Sequence, residues 1–241
     1  MRRIFLILIA LVVSAPTLAA CGLLNTDEIK VIPKTESASA LEQNSASSQN
    51  NDVQNSDLEA RGQVLQADTE EYVRSVIKDR AAAVLTALRD YDMEKLSELV
   101  HPEEGVRFTP YAYVDVDKNL VFSQNEIKDM SLDSTKYVWG SYDGKGDPIE
   151  LTFSDYYKKF IFDEDYMNAE ETNISNAKLP VRGNTLDNCF EVYKNSIIVE
   201  YYFSGFDPQY EGMDWKSLRL VFEKMDDTWY LVGIIHGQWT I

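Results

Sequence analysis

His236 is the side chain of this 241-residue chain best suited to acid–base work. An imidazole titrates near neutrality, so it can take up or release a proton when a carboxylate orients it. Strict alternation along Thr228–Gln238 would place His236 with Tyr230, Val232, Ile234 and Gln238, opposite Trp229, Leu231 and Ile235. Glu200, in the alternating segment 197–203, is the carboxylate that the pattern offers as its partner. His101 precedes Pro102 at an expected helix end, where a cation complements the negative end of the helix dipole. Pairing the two histidines on a metal would need a third ligand, and the spacing supplies none. Asp115, with Glu126 twelfth in the count, partly fits a calcium loop, but Leu120 stands where that loop needs glycine. Strand-like sequence flanks it, and a hairpin turn explains the same residues. No metal and no cofactor is expected.

Two cysteines exclude a disulfide-stapled scaffold and any multi-cysteine metal site. Cys189 has Asp187 and Glu191 beside it, which disfavours a thiolate, so it reads as a small core residue at a strand start. The Gly205–Trp215 loop interleaves Phe206, Tyr210, Met213 and Trp215 with Asp207, Glu211 and Asp214. Phe206, Tyr210 and Trp215 are candidate binding residues, because aromatics on a connecting loop can recognise protein or glycan. The competing reading is a hairpin loop whose rings fold back over the sheet edge.

Met1-Arg2-Arg3 followed by the apolar run 4–13 and small residues has the layout of a secretory signal peptide. Ten apolar residues are too few to span a bilayer, which takes about 20. Leu18-Ala19-Ala20-Cys21 resembles the lipobox of bacterial lipoproteins. That resemblance implies diacylglyceryl transfer to the Cys21 sulfur, cleavage before Cys21, and a palmitate-type anchor on the extracytoplasmic face of the cell membrane. Two or three acyl chains make such an anchor durable, each buried methylene contributing about 0.8 kcal/mol. Cleavage would remove two arginines and no acid, shifting the formal charge from −17 to −19. A chain this acidic lacks the basic footprint that nucleic acid requires.

Three stretches follow: signal peptide 1–20, lipidated cysteine and linker 21–63, and one domain 64–241. The linker is rich in Ser, Asn and Gln and without aromatics to residue 60, which leaves too little apolar surface to offset ordering entropy. From about Asp68, Val73, Val76, Ile77, Val84, Leu85 and Leu88 recur on one helical face, with Asp68 and Glu71 spaced as a capping box. Asp92 can cap a shorter helix that ends at His101-Pro102. The period then switches to two: strands are expected at 106–108, 111–116, 120–122 and 136–139, a short helix at 154–162, and an antiparallel meander to the end. The class is α+β, N-terminal helices packed on a curved, cone-like antiparallel sheet.

This order of elements, ending in Thr228-Trp229-Tyr230-Leu231-Val232-Gly233-Ile234-Ile235-His236, resembles the nuclear transport factor two-like fold. The segments His101–Phe108, Gly205–Trp215 and His236–Ile241 are similar to those of uncharacterised lipoproteins from low-GC Gram-positive bacteria. The resemblance implies a cone with an apolar interior, in which some members place an Asp or His for chemistry. The expected function is a membrane-anchored domain binding a small ligand or an envelope protein. The alternatives are an isomerase, dehydratase or hydrolase using His236 with a carboxylate, or a structural accessory of an envelope assembly.

Overall fold

The computed structural model describes residues 51–240, with side chains from residue 70 onward. The expected signal peptide, Cys21, most of the expected linker and Ile241 lie outside the described residues. Helix α1 runs Asn51–Arg89, so it begins well before the expected start near Asp68. Asp68 and Glu71 are therefore interior to a helix, not its cap. Between residues 51 and 70 there is no proline and a single glycine, Gly62, so nothing in that polar stretch breaks a helix propagating from the packed end.

The packed end of α1 carries Ile77, Ala81, Val84, Leu85 and Leu88, all buried. Their three- and four-residue spacing makes one stripe, which rests on the sheet. Tyr91 takes a left-handed conformation (φ 54°) and turns the chain. The Asp92 side chain then caps α2 (Met93–Leu99) by accepting the Lys95 N–H at 2.9 Å.

The chain continues through β1 (Val106–Thr109), β2 (Val121–Phe122), α3 (Gln124–Asp129), β3 (Lys136–Ser141), β4 (Pro148–Thr152) and α4 (Phe153–Phe160). It ends with β5 (Glu171–Ser175), α5 (Cys189–Val192), β6 (Ile197–Phe203), β7 (Lys216–Met225) and β8 (Thr228–Gln238). Six strands form one sheet in the order β2-β1-β8-β7-β6-β5, while β3 and β4 form a separate hairpin. The protein is α+β, with helices packed on a curved and mainly antiparallel sheet. The exception is β1, which lies parallel to β8 and pairs Phe108 with Ile234.

Two local expectations change. The segment 111–116 is no strand, because Pro110 ends β1 and the backbone of Val114 bonds to a side chain instead. The Asn188 amide accepts from Val114 N–H at 2.7 Å and donates to its carbonyl at 3.0 Å, imitating a strand neighbour. Cys189 opens a short helix, not a strand. The acidic pair Glu170-Glu171 leads into β5, whose pairing with β6 needs no apolar signal of its own.

Both sheet faces are covered. Leu218, Leu220, Phe222, Leu231 and Ile234 join α1, α4 and the β3–β4 hairpin in the main core. Val221, Val232, Ile235 and Ile198 form a smaller core on the other face with Cys189 and Tyr193.

Candidate functional site

The placement of His236 depends on one irregularity. Val221 pairs with Gly233 and Phe222 with Leu231, so Val232 is an extra residue in β8. A bulge of this kind reverses the in–out alternation beyond it. His236 pairs with Leu218 and Ile234 with Leu220, so both share the main-core face with Leu231 and Trp229. Strict alternation had put His236 opposite those residues; the bulge corrects that.

On this face the His236 ring is completely buried. Its Nε2 lies 3.1 Å from Asp163 Oδ2 and its Nδ1 lies 3.3 Å from the Pro110 carbonyl oxygen. The Phe160 ring meets it edge-on at 5.7 Å. Asp163 holds three groups together: His236, the Lys216 ammonium at 2.8 Å, and the Tyr166 hydroxyl, which donates to Oδ1 at 2.8 Å. Burial alone would raise the Asp163 carboxyl, but the His236 contact and then the Lys216 ammonium override it and hold it well below the usual carboxylate range. Tyr166 moves the other way, raised by its own burial and by the adjacent Asp163 charge.

Glu200 is not the partner of His236. It pairs with Arg219, on the opposite face of the sheet. There its carboxylate is fully buried and receives Arg219 Nε at 3.0 Å and Arg182 Nη2 at 3.0 Å. Arg219 Nη1 also reaches Asp187 at 2.6 Å, and the Arg182 guanidinium lies over the Tyr202 ring at 3.4 Å. This ion-pair network holds Glu200 on the sheet face away from His236. Its neighbour Cys189 has a thiol pushed up to about 12, first by burial and then by Asp187, which removes it as a nucleophile.

The remaining candidates have local duties. His101 Nδ1 accepts the backbone N–H groups of Glu103 and Glu104 at 3.3 and 3.1 Å, so it organises the turn after Pro102. Asp115 and Glu126 do not converge. Asp115 pairs with Lys118 at 3.2 Å, and Glu126 completes a capping box with Ser123 at the start of α3.

In the aromatic loop the three binding candidates separate. Trp215 is 3% exposed and packs by Tyr202, so its ring cannot meet a partner; the fold-back reading holds for it. Phe206 and Tyr210 remain about half exposed, at 48% each. The loop is tied down by Asp214, whose carboxylate accepts the N–H groups of Phe206 and Asp207 at 2.9 and 2.8 Å.

The interior that a cone-shaped enzyme would keep open is occupied by rings. Phe108 makes edge contacts with Phe122, Trp139, Phe153 and Tyr156 at 5.8–6.2 Å between centroids. Trp139 stacks on Tyr156 at 4.0 Å. Two clefts of about 770 and 550 Å³ are lined by residues other than His236 and Asp163. Asp163, Lys216 and Tyr166 were missed as His236 neighbours because the contact joins segments 73 residues apart. The only sequence signal was the acidic run Asp163-Glu164-Asp165 directly after an aromatic helix.

No family model matches the sequence, and no curated protein does. Among solved structures, the chain is similar to a Streptomyces avermitilis protein of the NTF2-like family that carries a provisional dehydratase name. The identity is 11% and the TM-score 0.30, covering 71% of this chain and 99% of that one. It is also similar to a Xanthomonas campestris protein provisionally named as a calcium/calmodulin dependent protein kinase II association domain. That match has 12% identity and a TM-score of 0.28, covering 69% of this chain and 85% of that one. Superpositions that loose carry nothing about the chemistry of this chain.

Proposed function

We propose that the protein is a lipid-anchored, extracytoplasmic binding domain that engages a ligand or an envelope partner and performs no chemistry of its own. The observation that carries the non-catalytic reading is the closed environment of His236. Both ring nitrogens face acceptors, the ring has no exposed surface, and packed aromatics fill the space beside it. A general base needs its lone pair within reach of a substrate proton, and this ring offers none. The anchor rests on Cys21 and the apolar, small-residue leader before it.

Two experiments test the two halves. Cys21→Ala should move the protein from the membrane fraction to the soluble extracytoplasmic fraction; continued membrane association of that variant would overturn the anchor. Cross-linking in cells followed by purification of the intact, anchored protein should recover a reproducible bound species. A purified protein that turns over small acyl or hydroxyl substrates, and loses that turnover in His236→Gln with unchanged thermal stability, would instead establish the isomerase, dehydratase or hydrolase alternative.

A further inference from the structure

A cleft of about 770 Å³ lies between the segment after β1, the β3–β4 hairpin turn and the segment before α5. That volume falls within the range of about 300–1,000 Å³ usual for small-ligand sites. Its lining has an unusual composition for an apolar-ligand pocket: Pro110 and Leu186 are its only aliphatic side chains. An acyl chain or a hydrophobic peptide anchor would find no greasy socket there.

Three tyrosines line it instead: Tyr111, Tyr113 and Tyr142. Two of them are pre-positioned. Tyr111 meets Phe160 edge-on at 5.8 Å, and its hydroxyl accepts the Asp143 N–H at 3.3 Å. Tyr142 lies 6.4 Å from the same Phe160 ring, with the Lys159 ammonium 4.5 Å from its own ring centre. Tyr113 is 52% exposed and presents the freest ring.

Polar side chains complete the lining. Asn119 is anchored through its oxygen, which accepts the Asp115 N–H at 2.7 Å, leaving its amide nitrogen beside Gly140. The Thr185 hydroxyl is shielded and has no hydrogen-bond partner among the described residues. Asn184 is exposed next to it. The charges cancel: Asp115 and Asp143 are matched by Lys118 and Lys145, in a chain whose formal charge is −17.

From this combination we infer that the cleft binds a neutral oligosaccharide. Flat tyrosine faces suit the C–H faces of a pyranose, while amide, hydroxyl and carboxylate groups suit its dense hydroxyls. A site of zero net charge within an acidic molecule disfavours both anionic and cationic ligands. The inference deepens the binding reading above by naming a ligand class, and it rests on that reading.

The test is calorimetric titration of the full-length protein with triacetylchitotriose, cellotriose and maltotriose, beside the anionic trigalacturonate. Saturable binding of at least one neutral trisaccharide is expected. Tyr113→Ala and Asn184→Ala should each weaken it by about tenfold, the scale of one stacking or hydrogen-bonding contact, with thermal unfolding unchanged. The inference fails if none of the neutral sugars binds, if only trigalacturonate does, or if the Tyr113 and Asn184 variants bind as the parent does. Should a protein be captured by cross-linking through another surface while every sugar fails, the binding reading survives and the oligosaccharide does not.

Discussion

Asp163 joins more of the buried polar centre than any neighbour, receiving His236, Lys216 and Tyr166 with 8% of its side chain exposed. Its carboxyl is depressed in the folded state from an ordinary value of 3.8. The stability that it contributes is therefore complete above that ordinary value and is lost as pH falls toward the depressed one. Asp163→Asn should cost about 2 kcal/mol at neutral pH, because the buried His236 and Tyr166 lose their charged acceptor, while the partly exposed Lys216 keeps Glu164 at 2.6 Å. The same variant should show a shallower loss of stability from about pH 4 to pH 2 than the parent. Urea unfolding across that range measures both, and equal acid slopes would sink the assignment. Glu200 shows the opposite arrangement at the same scale. Paired with two arginines on the opposite sheet face, it is bound into structure and lies out of reach of His236.

Single residues also decide how whole elements register. Val232 shifts the face of every later residue in β8, which is what brings His236 under Pro110 and beside Asp163. At the other end of the sheet, Gly105 enters β1 with φ +71°, and a Cβ there would meet the Phe122 carbonyl oxygen at 2.5 Å. Only glycine takes that conformation cheaply and lets β2 approach so closely. Gly105→Ala should therefore destabilise the domain by about 3 kcal/mol, from backbone strain plus the collision. Chemical denaturation measures it; a change within about 0.5 kcal/mol, typical of neutral surface sites, would show that β2 can move away freely. Helices α1 and α2 were legible in part, whereas α3 and α5 were not expected. The α1 stripe and the Asp92 cap of α2 follow from side-chain period and cap chemistry. The segment 111–116 was not legible, since its backbone partner is an amide side chain 74 residues away.

For the whole molecule, a formal charge of −17 means that self-repulsion opposes the compact state. Salt should relieve it, since the screening length falls from about 30 Å at 0.01 M to about 10 Å at 0.1 M. The buried Glu200–Arg219 pair is shielded from solvent and should lose little over the same range. The melting temperature should therefore rise by about 2–4 °C, equivalent to about 1 kcal/mol for a domain of this size. A fall with added salt, followed calorimetrically, would mean that surface ion pairs outweigh the repulsion.

The α+β class, the helical stripes and the last three strands were determined by the sequence alone, because hydrophobic period and cap residues act over a few neighbours. The partners of His236 and Glu200 were decided only by tertiary structure. One inserted residue in β8 chose the face of His236. The sheet order then brought Asp163 and Lys216 to it, across separations of 73 and 20 residues in the chain. Local periodicity carries no record of a bulge, and charge pairing across a fold leaves no mark on spacing. So the identity of the candidate base was readable in the sequence, and its enclosure was not.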